Sequence, residues 1–207
     1  MSSVPVEVVL FDLGGVVCHF RPDRRLRALA SASGLSESEI HARIWESGLD
    51  ASFDSGQYTT VEAHRAVADA LGTPIALDDL MAAWIRAWEP CPDVLAVVET
   101  VRRALRTGLM TDNGPILLDA MPASFPEITR AFDWLFFSCA LKATKPSRAV
   151  FDEVVRRIEI PPARVLLIDD SAKNVDGARS CGLQALVYTT VTRLRKELQS
   201  LGVLRTS

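Results

Sequence analysis

Close-set cysteines, long apolar runs and basic clusters are all missing from this chain of 207 residues. Its four cysteines, Cys18, Cys91, Cys139 and Cys181, stand far apart, which excludes a zinc ribbon or a paired redox motif. A chain of this size needs no disulfide staples either, so all four are expected to be structural thiols. Apolar runs such as Val8 to Phe11 and Trp134 to Phe137 fall far short of a membrane span, and the start lacks a basic-then-apolar leader pattern. A cytoplasmic protein with no membrane partner is the expectation. The formal charge of −3 leaves no footprint for nucleic acid or an anionic surface. Neither GxxxxGK[ST] nor GxGxxG occurs, so nucleotide-loop folds have no support. There are no repeats, no low-complexity tract and no Gly/Ser linker.

What remains, 48% hydrophobic and 24% charged residues, is the composition of an ordinary globular domain able to bury a substantial core. Glu7 to Phe11 is an apolar run stopped by Asp12 and a Gly-Gly pair, which predicts a fully buried strand ending in a tight loop. Similar runs recur at Thr107–Thr111, Trp134–Ser138, Arg164–Asp169 and Gln184–Tyr188, with helical patterns between the later ones. That alternation predicts an α/β fold, a Rossmann-like parallel sheet with helices on both faces. Between the first two strands, from about Phe20 to Glu89, the signals are helical and no strand stands out. Ser36 with Glu39, and Thr59 with Glu62, have the spacing of capping boxes. Leu80, Trp84 and Trp88 fall on one stripe of a helix. An inserted helical subdomain is predicted over residues 19–90, joined to a core of 1–18 and 91–207 by crossings near Cys18–Arg21 and Glu89–Pro92.

In an open parallel sheet the ligand site lies beyond the carboxyl ends of the strands. Four such loops carry polar residues: Asp12-Leu13-Gly14-Gly15, Thr111-Asp112-Asn113, the loop to Lys145-Pro146, and Asp169-Asp170-Ser171 ahead of Asn174. An acid at a strand end can simply cap a helix, and a lysine before proline can be solvated. Two adjacent acids ending a buried strand are different, because they repel unless a cation or proton compensates.

These residues, in this order, resemble the haloacid-dehalogenase superfamily, with a nucleophilic Asp after the first strand, a Ser or Thr after the second, then a Lys, then an acidic pair. The segments FDLGGVV, ATKPSRAVF and LLIDDSAKNVDGARSCGLQAL are most similar to the bacterial branch of sugar-phosphate phosphatases and the amino-terminal phosphatase domain of epoxide hydrolases. The resemblance covers nearly the whole chain and makes the insertion a mobile helical cap. It implies a phosphatase acting on a small-molecule phosphate ester through an aspartyl-phosphate, as a monomer or homodimer. Asp12 would be the nucleophile, with Thr111 and Lys145 as the other catalytic residues. Mg²⁺ would be held by Asp12, Asp170 and the Gly14 carbonyl, with Asp169 as a second ligand-orienting acid. Gly14, Gly15, Asp112 and Asn113 would meet the phosphate, although the two glycines could equally be plain turn residues. Asn174 is expected to orient the fourth loop.

Two positions depart from the family pattern. Many such phosphatases carry a proton-donating Asp two residues after the nucleophile, where this chain has Gly14. Asp112 stands where Asn is common, and would sit more comfortably as a helix cap than beside a phosphate. None of His19, His41 and His64 falls on the four loops, which argues against a Ser-His-Asp triad. His19 and Arg21, entering the insertion, could read the substrate or form a hinge salt bridge. Two rival readings stay open: a metal-independent dehalogenase attacking carbon, against which the acidic pair speaks, and a catalytically weak binding or regulatory relative.

Overall fold

The computed structural model describes residues 4–205. Strand β1 (Val8–Phe11) has four apolar residues in succession and all four are fully buried, because both faces of the strand are covered. Val9 and Phe11 point into one apolar cluster and Val8 and Leu10 into another, the two-residue period of a strand. β1 is the middle of a five-stranded sheet in the order β5-β4-β1-β6-β7, formed with β4 (Arg106–Thr111), β5 (Trp134–Phe137), β6 (Val165–Asp169) and β7 (Gln184–Val187). All four pairings are parallel. Each strand lies within a residue or so of its predicted position. The polar residues that follow β1, β4 and β6 therefore emerge side by side at one end of the sheet.

A single turn, α9 (Ser138–Leu141), follows β5, and one face of the sheet is covered by α10 (Arg148–Ile158) and α11 (Ala172–Ser180). Val150, Phe151, Val154 and Ile158 of α10 bury one helical stripe, while Arg148, Asp152 and Arg156 stay outside. The other face carries α6 (Pro92–Arg102), α7 (Pro115–Ser124), α8 (Pro126–Ala131) and α12 (Val191–Ser200), whose apolar residues join the same cluster as Phe11 and Ile168.

The segment after β1 is helical from Pro22 to Arg86: α1 (Pro22–Ser33), α2 (Glu37–His41) running into a π-helical turn at Ala42–Glu46, α3 (Leu49–Asp54), α4 (Thr60–Leu71) and α5 (Leu77–Arg86). Both predicted capping boxes form: the Ser36 and Thr59 hydroxyls accept from the third-residue amides, and Glu39 and Glu62 reach back to the cap amides. Two expectations are corrected. The crossings are strands, β2 (Cys18–Phe20) and β3 (Trp88–Pro90), paired antiparallel with Phe20 opposite Trp88. Three-residue strands carry too few side chains for alternation to show. The stripe of Leu80 and Trp84 is buried in α5, but that helix ends at Arg86, so Trp88 belongs to the ribbon instead.

The helical segment docks on the sheet lobe through α7. Thr60 Oγ1 hydrogen-bonds the Asp119 carboxylate, and Ser138 Oγ donates to the Asp54 carbonyl at 2.7 Å. At Gly114 an added Cβ would lie 2.8 Å from the Cβ of Phe53, so glycine permits this approach. Ile40, Ile44, Phe53, Val67, Leu80 and Trp84 belong to the same apolar cluster as Phe11. All four cysteines are free thiols. No helix among the described residues is long and apolar enough to cross a membrane.

Candidate active site

Asp12 is the first residue beyond β1, its amide donating to the Ile168 carbonyl at 2.9 Å. The chain then turns back tightly, with the Cys18 amide on the Leu13 carbonyl at 2.7 Å and the Gly15 amide on the Cys18 carbonyl at 2.8 Å. Gly15 has φ of 73°, and a Cβ there would fall 2.1 Å from Asp170 Oδ2. The glycine thus serves two ends, a left-handed turn and the close approach of an acid from β6. A Cβ on Gly14 would meet the Trp88 ring at 3.5 Å, an ordinary contact.

Lys145 is the hub. Its Nζ donates to Asp12 Oδ1 at 2.7 Å, Asp169 Oδ2 at 2.6 Å and the Met110 carbonyl at 3.2 Å, while the side chain is 2% exposed. Asp169, wholly buried, also accepts from the Ser171 amide at 2.9 Å and from Asn174 Nδ2 at 3.1 Å. Its oxygens are thereby committed to holding Lys145 and its own loop, and Asn174 has the orienting place expected of it. Burial disfavours the Lys145 ammonium, but Asp12, Asp169 and Asp112 together hold its pKa above the ordinary lysine range. Burial pushes the Asp12 carboxyl up to about 7, with Lys145 opposing the rise and Asp169 adding to it. With three strong acceptors around Nζ, the ammonium is the charged partner that holds Asp12 as a carboxylate.

On the second loop Thr111 is buried and its Oγ1 accepts from Asn113 Nδ2 at 2.7 Å; the Asn113 amide in turn donates to Ser138 Oγ at 3.0 Å. Asp112 is neither a helix cap nor a free acid facing the cavity. Both its carboxylate oxygens accept from the Lys145 backbone amide at 3.1 Å, so it fixes the loop carrying the hub.

Asp12, Asp169 and Asp170 can each bring one oxygen within 4.8 Å of the others. These three carboxylates are served by a single ammonium, that of Lys145. This surplus of hard oxygen donors suits a compact divalent cation such as Mg²⁺.

Asp12, Thr111, Asp112, Asn113, Lys145 and Asp170 form the floor of a cavity of about 610 Å³. Its other wall comes from the helical segment: His19, Phe20 and Arg21 of the first crossing, Arg25 of α1, Asp50 and Asp54 of α3, and Trp88. Arg21 forms the salt bridge expected of a hinge, with Glu89 at 3.6 Å, and also lines the cavity. His41 and His64 lie elsewhere, the first against Glu46, the second on the Ile75 carbonyl. The sequence reasoning missed Arg25, Asp50, Asp54 and Ser138. For Arg25 there was a signal: it sits four residues before Leu29, on the buried stripe of α1.

A sequence model of the haloacid dehalogenase-like hydrolases matches residues 6–182. The D-ribitol-5-phosphate phosphatase of Bacteroides thetaiotaomicron is 20% identical over 202 residues, covering 93% of this chain and 97% of that protein. A HAD-like family hydrolase from Porphyromonas gingivalis has a similar structure, with a TM-score of 0.80, 21% identity, and 99% and 100% of the two chains covered. So does a family enzyme of Bacteroides thetaiotaomicron in complex with magnesium and inorganic phosphate, at a TM-score of 0.77, 20% identity and coverage of 91% and 98%.

Proposed function

The chain belongs to the haloacid dehalogenase-like hydrolase family, and from that premise we propose that it is a Mg²⁺-dependent phosphatase hydrolysing a small-molecule phosphate monoester through an aspartyl-phosphate. The observation that carries this reading is Lys145 Nζ bridging Asp12 and Asp169 at 2.7 and 2.6 Å, on the floor of a cavity where Asp170 adds a third acid. The phosphate named for the ribitol-phosphate relative and the magnesium and phosphate bound in the structural neighbour point the same way.

Lys145 fixes the rotation of the Asp12 carboxylate and favours its ionised form against burial, the state that can attack. A carboxylate oxygen of Asp12 forms a bond to phosphorus while the ester P–O bond breaks and the alcohol leaves. Water then attacks the same phosphorus, releasing phosphate and restoring Asp12, so that one hard displacement becomes two easier ones. Thr111, steadied by Asn113, offers its hydroxyl to the transferring oxygens, and Lys145 offsets the charge that grows on them. Mg²⁺, bound by Asp12, Asp170 and the Gly14 carbonyl, would neutralise phosphate charge and align it for in-line attack. Asp169 holds Lys145 and is better placed to orient the metal ligands than to replace one. Residues 19–90 are read as the cap over this site and the remainder as the core; residues 1–3 and 206–207 lie outside the described residues.

A dehalogenase needs no cation and has no use for the cluster of Asp12, Asp169 and Asp170 beside one lysine. Of the two features that favour a catalytically weak relative, Gly14 and Asp112, the second has a structural part to play, since its carboxylate engages the Lys145 amide.

The test is phosphate release from p-nitrophenyl phosphate with Mg²⁺, after EDTA, and after Mg²⁺ is returned. Turnover should stop with EDTA and recover, and Asp12→Asn should lower kcat by more than ~10³-fold while circular dichroism stays native. Metal-independent turnover, or an Asp12→Asn variant keeping more than a few per cent of activity, would overturn the assignment.

A further inference from the structure

Arg103, Arg195 and Arg205 form no basic run in the sequence, yet the fold brings all three to one cleft of about 550 Å³. α6 and α12 pack against each other, burying Val97 and Val101 of the first and Leu194 and Leu198 of the second. The residues beside that seam turn toward the cleft: Arg103 at the end of α6, and Arg195 and Gln199, four positions apart on α12. Beyond α12 the amides of Val203 and Leu204 both donate to the Leu198 carbonyl, at 2.9 and 3.2 Å. The chain is thereby folded back, and Val203, Leu204 and Arg205 close the cleft on a third side.

Elsewhere on the surface arginines sit against carboxylates, as Arg148 does on Asp152, Arg157 on Glu153 and Arg193 on Glu197. The three in the cleft have no ion-pair or side-chain hydrogen-bond partner among the described residues, and no acid lines it. A space of that volume is roughly 10 Å across, about one Debye length, so the guanidiniums repel one another with little screening. That repulsion works against folding, and a multiply charged anion is what would relieve it. Each guanidinium offers a planar fork of donors that matches the oxygens of a phosphate or a carboxylate. The Gln199 amide adds further donors, and Val203 and Leu204 supply an apolar side.

The cleft is separate from the reaction centre. α6 ends just before β4 begins at Arg106, whereas the catalytic second loop follows Thr111 at the other end of that strand, six residues or about 20 Å away. An anion held by Arg103 therefore touches neither Asp12 nor Lys145. With a formal charge of −3 the chain as a whole does not gather anions, so the attraction is local to these side chains. We propose that Arg103, Arg195 and Arg205 form a second ligand site, which takes a small polyvalent anion, a polyphosphate or a polycarboxylate, remote from the catalytic floor.

The test is calorimetric titration of the metal-free protein with inorganic triphosphate and, separately, with citrate, and it stands whether or not the chain is a phosphatase. Without a cation the carboxylates of the catalytic floor repel both probes, which leaves the cleft to bind them. One probe molecule per chain should bind. Arg103→Gln and Arg195→Gln should each weaken that binding by about 10-fold or more, the loss of one hydrogen bond between charged groups, while Arg148→Gln on the far face of the sheet leaves it unchanged. Without probe, the melting temperature of the two cleft variants should stay native or rise, because a repulsion has been removed. Binding of triphosphate alone assigns the cleft to polyphosphates, binding of citrate alone to polycarboxylates, and either result supports the site when the two cleft substitutions weaken it. Binding of neither probe at millimolar concentration overturns the site. So does an affinity that both substitutions leave within about 2-fold of native, and so does a lowered melting temperature in both variants, which makes the cluster a structural one.

Discussion

Asp112 illustrates at the scale of one residue how a carboxylate can stand beside the proposed phosphate site without opposing it: the Lys145 amide engages both its oxygens. Gly15 is the converse, a residue whose lack of a side chain is its contribution. Gly15→Ala sets a methyl 2.1 Å from Asp170 Oδ2 and forces alanine to a φ of 73°. Asp170 must then move out of the acidic cluster. The expected outcome is a stability loss of about 1–3 kcal/mol in urea titration, with at least ~10-fold weaker Mg²⁺ binding by calorimetry. Native-like Mg²⁺ affinity in the alanine variant would remove Asp170 from the metal reading. Asp54 gives a prediction in pH. Its folded pKa, near 8, lies above the ordinary 3.8, so folding binds a proton there and the stability it contributes is full below pH 3.8 and lost as pH rises through about 8. Asp54→Asn lacks this titration. Its melting temperature relative to the native protein should therefore climb between about pH 5 and about pH 9 in the metal-free protein; a constant difference across that range would contradict the assigned shift.

At the scale of elements, the five sheet strands were legible because burial on both faces makes each a short apolar run with a polar stop, and three of those stops line or flank the cavity of the candidate site. The same feature made Asp12, Thr111 and the Asp169-Asp170 pair readable as site residues, and the capping boxes marked two helix starts three residues at a time. The ribbon of β2 and β3 left no such mark. Its strands are three residues each, and Trp88 continues the i, i+4 spacing of Leu80 and Trp84 across a helix end, so periodicity alone misassigned it. Tertiary facts were equally hidden. Nothing local tells that the Asp112 carboxylate turns toward the Lys145 amide, 33 positions on, or that α3 faces the catalytic loops. Arg25 was the exception, a charge on the apolar stripe of its helix, readable as a buried cation had the stripe been drawn residue by residue.

At the scale of the whole molecule, the helical segment and the sheet lobe share one apolar cluster running from Phe11 through Phe53 to Trp84. Swinging the entire segment away would expose that cluster to water, so closure over substrate is expected to be confined to the cavity rim. The shared core also predicts a single cooperative unfolding transition. Trp45, Trp84 and Trp88 lie in the segment and Trp134 in the sheet. Tryptophan emission, dominated by the segment, and far-ultraviolet circular dichroism, which averages over both lobes, should give coincident urea midpoints. Two separated transitions would mean that the lobes are independent.

The Trp88 ring lying over Gly14 has a kinetic consequence. With Gly14 in place of an acid and the Trp88 ring as its neighbour, the departing oxygen is expected to leave with whatever charge its own carbon skeleton can spread. The enzyme then becomes an inductive filter. Esters whose neighbouring hydroxyls or aryl rings draw electrons away should turn over ahead of plain alkyl esters, and a plot of log kcat/KM against alcohol pKa should have a steep negative Brønsted slope. Gly14→Asp, for which the β-carbon has room at 3.5 Å from the ring, should flatten it. A shallow native slope that the substitution leaves alone would locate the proton donor elsewhere in the cavity.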